Sequence, residues 1–454
     1  MKAVLFLLAG IACLPVYAQK KTPARTTPTE IRYDSFFAAV KWRNIGPFRG
    51  GRANAICGVP HSDNTYYVGY AGGGVWKTQD AGESWYNISD GFFTVGSIGD
   101  IAVAESDPNV VVVGSGEHAV RGVMTSYGDG VYKSSDAGRT WKNIGLTQTR
   151  HIADVVIHPA NPDIMWVAAQ GTVHGPNPDR GIYKTSDGGA TWKKVLFIND
   201  STGISSLSLD KTNPRILYAA SWTHQRFPWT VSSGGSGSGL WRSVDGGETW
   251  KKINTGLPLQ LGKIGISVSP ANPSRVYAIV EAEKTQSGLY RSDDRGEHWN
   301  LLSSDQDICS RSWYYMEVQA DPNNENTVYV MNAPLMRSID GGRTFSKLKI
   351  EHGDTHDLWI NPANSNNIAL ADDGGASVSF NFGSTWSTLN NQPTGQFYRV
   401  NTDNLFPYKI YGGQQDNTSV IISSRNNGSW ITERDWSYGP GCESAYLAFD
   451  PENP

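Results

Sequence analysis

At 454 residues the chain is long for one ordinary domain, and 49 Gly, 16 Trp and 20 Tyr against 6 Met describe many turns and aromatic strands rather than helices. A formal net charge of −4 excludes a general attraction to nucleic acid or to an anionic membrane surface. Beyond the leader the cysteines are Cys57, Cys309 and Cys442, too widely spaced for a disulfide framework and without CxxC or finger spacing, so neither metal nor cofactor is expected.

The chain begins as a leader. Lys2 precedes an apolar run from Ala3 to Val16, and Val16-Tyr17-Ala18 offers the small residues a signal peptidase needs. This predicts a signal peptide over 1–18, cut after Ala18, and a secreted, periplasmic or outer-surface protein. Lipidation at Cys13 is the competing reading, for which Gly10-Ile11-Ala12 is a poor approach. Residues 19–39 are polar and read as a disordered lead-in. No later stretch approaches about 18 uninterrupted apolar residues, so no transmembrane segment is expected.

From Val40 a four-part repeat sets in. A short apolar strand (Ile98 to Val103) is followed by a turn such as Asp107-Pro108, a second strand (Val110 to Val113) and a hairpin. The hairpin is clearest in GLWRSVDGGETW, Gly239 to Trp250. There the glycines supply backbone angles a β-carbon disfavours, the Asp bonds N–H groups across the turn, and the following Trp fills a gap between sheets. The turn Asp recurs at Asp80, Asp136, Asp187, Asp245, Asp294 and Asp340, and in weakened form as Asn381, at spacings of roughly 40–58 residues. Four strands per repeat predict an all-β fold, a β-propeller of four-stranded blades with seven to eight blades plus an incomplete one. Residues 40–395 hold seven repeats. Residues 396–454 hold further, incomplete sequence that closes the ring or starts a second propeller, and a truncated chain is expected because it stops within a repeat at Asp450-Pro451.

The copies Ser134 to Trp141, Ser186 to Trp192 and Ser243 to Trp250 resemble the Asp-box, or BNR, repeat shared by sialidases, two-propeller xyloglucanases and the Vps10 domain of sortilin. The stretches WRNIGPFRGGR from Trp42, GGGVWK from Gly72, HGDTHDLW from His352 and GQQDN from Gly413 resemble exported bacterial sortilin-N-like proteins, often labelled glycosyl hydrolases. The resemblance covers nearly the whole mature chain. It implies the propeller and leaves the activity to the site.

In a four-stranded blade the loop between strands two and three opens on the same face as the connection between blades. The long insertions, at Glu117 to Gly128, Gly171 to Arg180, Trp222 to Ser238 and Glu281 to Ser287, all belong to that class and mark a binding face. The six Asp-box residues lie on the opposite face and are structural. The aromatic-basic loop with Trp222, His224, Arg226 and Trp229 is a candidate for stacking on a sugar ring or holding an apolar peptide side chain. Arg49, Arg52, Glu117, Arg121, Arg150, His151, Arg311 and His356 are candidates at the channel mouth, where arginines hold a carboxylate. His352, Asp354 and His356 resemble a metal cluster in composition, but alternate strand positions are too far apart for shared coordination without a turn.

Two functions follow. The first is an exported propeller that binds a glycan or peptide on this face, alone or within a cell-surface complex. The alternative is a xyloglucanase-like glycoside hydrolase with paired carboxylates, for which Asp357 and Asp373 are the candidates. The xyloglucanase resemblance implies an Asp before Gly-Gly in the first blade of each propeller. Ala71 stands there in the first blade, and Asp372-Asp373-Gly374-Gly375 in the seventh looks more like that motif.

Overall fold

The computed structural model describes residues 36–121, 125–283, 285–428 and 430–454. The leader and most of the lead-in lie outside them. The described residues 36–44 belong to a unit separate from the rest, in which Val40 N–H bonds Phe37 O at 2.8 Å.

In the second unit, which starts at Ile45, the described residues form eight antiparallel sheets whose strands follow one another in chain order, apart from a hairpin extension in the fourth. The inner strands Ala53–Val59, Ile98–Val103, Ile152–Ile157, Thr202–Leu209, Ile264–Val268, Glu317–Ala320 and Thr355–Ile360 neighbour one another in succession, and the last returns to the first. This is a β-propeller with seven blades in the ring. A blade is covered on both faces, so its second strands are near-continuous apolar runs: Val111–Ser115, Met165–Ala169 and Val276–Val280 are buried throughout. Between the first two blades, Ala55, Cys57 and Tyr67 pack on Ile98, Ile101 and Val113. A buried Val or Ile contributes about 1.5–3 kcal/mol, so these seams, rather than the short outer strands, hold the ring.

The hairpins carrying the recurring turn Asp form the outer edge. Asp245 Oδ1 accepts from the N–H of Glu248 at 3.0 Å and of Thr249 at 2.9 Å, and from Ser243 Oγ at 2.7 Å. The next residues, Gly246 and Gly247, have φ of +76° and +83°. Four repeats place Ala81, Ala137, Arg295 or Phe382 at the first of these left-handed positions, so the turn's hydrogen bonds enforce a conformation that costs a β-carbon about 1–2 kcal/mol. In the seventh repeat Asn381 does the work of the Asp, accepting from Thr385 N–H and donating to Thr385 Oγ1, both at 2.8 Å. Trp141, Trp192 and Trp299 each donate their indole N–H to a carbonyl before the blade, Ile88 O, Ile144 O and Ile253 O. Trp250 departs from this. It bonds its own Gly247 O, and the gap beside that turn is filled by Trp166 of the third blade.

Among the described residues, a carboxylate adds a clasp at three seams. Asp100 Oδ2 accepts Val155 N–H at 2.6 Å, Asp154 Oδ2 accepts Leu207 N–H at 2.8 Å, and Asp357 Oδ2 accepts Ile56 N–H at 2.8 Å. The last contact joins the seventh blade to the first, where Trp359 also covers Gly58 and meets Tyr66 edge-on at 5.8 Å. The eighth sheet, Phe397–Thr402 to Trp436–Tyr438, takes no part in this closure. It is fastened to residues 49–52: Arg49 Nε donates to Gln414 Oε1 at 2.9 Å, Gln414 Nε2 donates to Gly50 O at 2.8 Å, and the Arg49 guanidinium lies over Trp436 and Tyr438.

The turn carboxylates make a prediction. Asp136 and Asp245 are held down to about 2 chiefly by hydrogen bonds from Thr140 and Thr249, and Asp294, against burial, by Ser292 and His298. A depressed carboxylate adds stability that is present above its unfolded pKa of about 3.9 and is lost as pH falls through the folded value. The groups are largely exposed, so each effect is modest. In urea unfolding, the triple variant Asp136→Asn, Asp245→Asn, Asp294→Asn is expected to lose less stability than the parent between about pH 4 and pH 2. Parallel losses would disconnect these turns from acid unfolding.

Candidate functional site

Four chain segments meet where residues 49–52 cross the seam between the seventh and first blades. Arg52 precedes the first inner strand, Asp373 follows strand Ile368–Asp372, His356 lies in the seventh inner strand, and Tyr314 is on the connection into the sixth blade. The turn after Lys409–Gln414 in the eighth sheet adds Asp416, at φ +61°. Arg52 Nη2 donates to Asp373 Oδ2 at 3.0 Å and to Asp416 Oδ2 at 2.6 Å, and Nη1 bonds the Tyr314 hydroxyl. His356 Nε2 is 2.7 Å from Asp373 Oδ1 and 3.3 Å from the Tyr314 hydroxyl. Sharing one guanidinium nitrogen brings the two carboxyl groups together on a common donor.

The environment separates the two acids. Burial, joined by the charge of Asp416, pushes Asp373 well above the usual carboxylate range despite Arg52. Asp416 is 19% exposed against 1% for Asp373, and although burial opposes it, Arg52 holds its carboxylate below the usual value. One carboxyl raised and one lowered on a common cation is the direction of division that acid–base chemistry uses. Burial and Arg52 push His356 well down, so its imidazole is neutral. Burial also raises Glu117, against Arg121, whose Nε is 2.7 Å from Glu117 Oε1.

The sequence candidates divide. Arg52, Asp373 and His356 come together, with the Glu117–Arg121 pair close enough for Arg52 to feel its charge. Asp357 does not join them. It lines the central cavity of about 330 Å³ beside Asp100 and Asp154, accepting the N–H groups of Ile56 and Leu358, and burial raises it to about 6. Arg49 serves the eighth sheet. Trp222 and His224, expected to face a ligand, are buried instead: Trp222 stacks on His224 at 4.0 Å, donates its N–H to Ser233 Oγ and packs with Val120 and Val173. The long loops fold over one another here, and their apolar side chains meet in a small core of their own. Arg226 donates to Arg121 O and Thr230 O, bracing the hairpin that presents Trp229, 80% exposed and stacked on Phe227. His151 is buried, which lowers it to about 3. Arg150 lies over Tyr127, and Arg311 over Tyr314 and Tyr315.

Among the described residues no group of His, Cys, Asp or Glu has a metal-holding arrangement. His352 faces the carbonyls Gly353 O at 2.8 Å and Asp416 O at 3.1 Å, and these contacts raise it against the effect of burial. Sequence reasoning missed Tyr314 and Asp416. A signal for Asp416 existed: it occupies the turn between second and third strands of its sheet, the place Asp373 has in the seventh blade. Nothing local singled out Tyr314.

No family model matches the chain. It is similar to a xyloglucanase of Paenibacillus sp, 22% identical over 47% of this chain and 22% of that protein. It is also similar to an oligoxyloglucan-reducing end-specific xyloglucanase of Emericella nidulans, 27% identical over 36% of this chain and 24% of that protein. The matches thus span about a quarter of these relatives' length. Among solved structures, the GH74 xyloglucanase from Xanthomonas campestris superposes with a TM-score of 0.61 at 15% identity, covering 91% of this chain and 69% of that one. PorZ, a surface component of the type-IX secretion system of Porphyromonas gingivalis, gives 0.51 at 12% identity over 84% of this chain and 44% of that one. Both share the propeller fold, and the sequence likeness is to glycoside hydrolases.

Arg52 compensates two carboxylates at once, and removing one partner of a buried ion pair costs about 3–5 kcal/mol. Arg52→Gln is expected to destabilise by about that amount at neutral pH, and by less in acid, where protonation relieves the bare carboxyls. Chemical unfolding at both pH values checks this; a pH-independent loss would assign the cost to packing.

Proposed function

We propose that this chain is the part of an exported glycoside hydrolase that carries the catalytic carboxyl pair, Asp373 and Asp416. The observation that carries the reading is that two carboxyls, one raised and one lowered, share the Arg52 guanidinium on the face with the long loops. The likeness to xyloglucanases supports a glycan as substrate. In this reading Asp373 gives its proton to the departing glycosidic oxygen as that bond breaks, and a carboxylate oxygen of Asp416 closes on the anomeric carbon. Water then attacks that carbon, Asp373 takes the water's proton, and Asp416 is released. Arg52 stabilises the charge that passes between the two acids. The eighth sheet is the first blade of a second propeller, the glycan lies between it and the ring, and the leader is removed after Ala18.

Binding without hydrolysis is the second reading, and a specific observation favours it. Ala71 occupies the place where the xyloglucanase resemblance implies an Asp, and Gln414 occupies the corresponding register in the eighth sheet, one residue beyond the pair Gly413–Ser419.

Reducing-end release from xyloglucan and other β-glucan oligosaccharides separates the two. Asp373→Asn and Asp416→Asn are each expected to lower kcat by about 10²–10⁴-fold while ligand still binds. Turnover requires Asp373 protonated and Asp416 ionised, so it falls as pH rises through the raised value and as pH falls through the lowered one. Asp357→Asn, which keeps an oxygen for Ile56 N–H, retains turnover. Binding with no turnover at any pH would leave the binding reading standing.

A further inference from the structure

The arginines on the loop-bearing face are nearly all committed within the protein. Arg52 and Arg121 hold carboxylates, Arg49 holds Gln414 and two aromatic rings, and Arg226 holds backbone carbonyls. Arg150 and Arg311 are held more loosely. Among the described residues no carboxylate pairs with Arg150, whose guanidinium makes a 3.3 Å bond to the neutral Gln148. Arg311 is 60% exposed; its Nη1 donates to the Tyr315 hydroxyl at 3.3 Å and faces Asp354 Oδ2 at 3.9 Å, a loose ion pair beyond hydrogen-bonding length.

These two side chains are displayed alike. Each lies on a connection between blades, ahead of an inner strand, and each has a left-handed backbone, φ +64° at Arg150 and +46° at Arg311, unfavourable for any residue with a β-carbon. Each guanidinium lies over tyrosine: Arg150 over Tyr127 at 5.6 Å, Arg311 over Tyr314 at 5.5 Å and Tyr315 at 5.6 Å. Stacking engages the flat face of a guanidinium and leaves the donor-bearing edge for a planar oxyanion. Both tyrosine supports belong to the site. The Tyr314 hydroxyl meets Arg52 and His356, and Tyr127 adjoins Ser126, whose N–H bonds Glu117 Oε2 at 3.2 Å.

We infer that the glycan taken by this face is anionic, and that Arg150 and Arg311 bind its carboxylate or sulfate groups. The inference rests on the reading of this face as a glycan site. A neutral glycan needs ring stacking and neutral hydrogen bonds, not two guanidinium groups that, among the described residues, have no carboxylate within hydrogen-bonding length, on the rim of a chain whose net charge is −4. The arrangement is suited to bidentate pairing with an oxyanion.

Calorimetric titration of the chain with tetragalacturonate, its methyl ester, a sulfated galactan tetrasaccharide and a neutral xyloglucan heptasaccharide tests this. Tighter binding of at least one charged oligosaccharide than of the neutral one is expected, with affinity falling as salt rises. Loss of binding on methyl esterification identifies carboxylate as the group recognised, and retention of only the sulfated ligand identifies sulfate. Arg150→Gln and Arg311→Gln should each weaken the charged ligand about tenfold and leave any neutral binding unchanged. Neutral and charged ligands binding equally, unchanged affinity in both variants, or no binding of any of the four would overturn the inference. Because binding is read without turnover, inactive chain that still selects the charged ligand refutes the hydrolase and not the anion specificity.

Discussion

Ile56 donates its backbone N–H to Asp357 Oδ2 at 2.8 Å, and through that seam the first blade becomes the neighbour of the seventh. A sheet that is apolar on both faces must be covered on both, and a row of such sheets satisfies this for every member only by closing on itself. Asp100 and Asp154 make the same kind of contact at two other seams, so closure repeats an existing joint. Trp359 against Gly58 completes it, since a β-carbon at Gly58 would sit 2.4 Å from the indole ring.

The same seam creates the site. A β-carbon on Gly50 would lie 2.0 Å from Gly374 O, and one on Gly51 would lie 2.5 Å from Thr394 O, so this strap can press against the seventh blade only because both residues are glycine. Pressed there, it sends Arg49 to the eighth sheet and Arg52 to Asp373, Asp416 and Tyr314. Both acids lean on Arg52: the cation that makes their burial tolerable lowers the proton affinity of each, and the deeper burial of Asp373 is what sets the two apart.

The legible part of the site was the part that resembles a motif. Asp373 stood out because it precedes Gly374-Gly375, and Arg52 because it closes the Arg49-Gly50-Gly51-Arg52 run. Asp357 stood out equally as a carboxylate in a histidine-rich stretch, yet a bulge in the pairing between Thr355 and Asp357 turns it to the seam while His356 turns to Asp373. Trp222 read as an exposed platform because its loop is long and aromatic. Its burial depends on Val120 and Val173, which arrive from two other blades and leave no trace near residue 222.

The sequence by itself determined the blade. Strand, turn, strand and Asp-turn hairpin are local, each specified by residues within one repeat, and their recurrence is enough for a propeller because each repeat presents the same two apolar faces. Only the tertiary structure decided that seven blades close the ring, that the eighth sheet lies outside it, and that Asp373 shares Arg52 with Asp416 while Asp357 faces a seam. Those outcomes depend on which distant segments share a guanidinium or a seam. Contacts between Arg52 and residues more than 260 positions away are set by the geometry of closure, which no window of the chain contains.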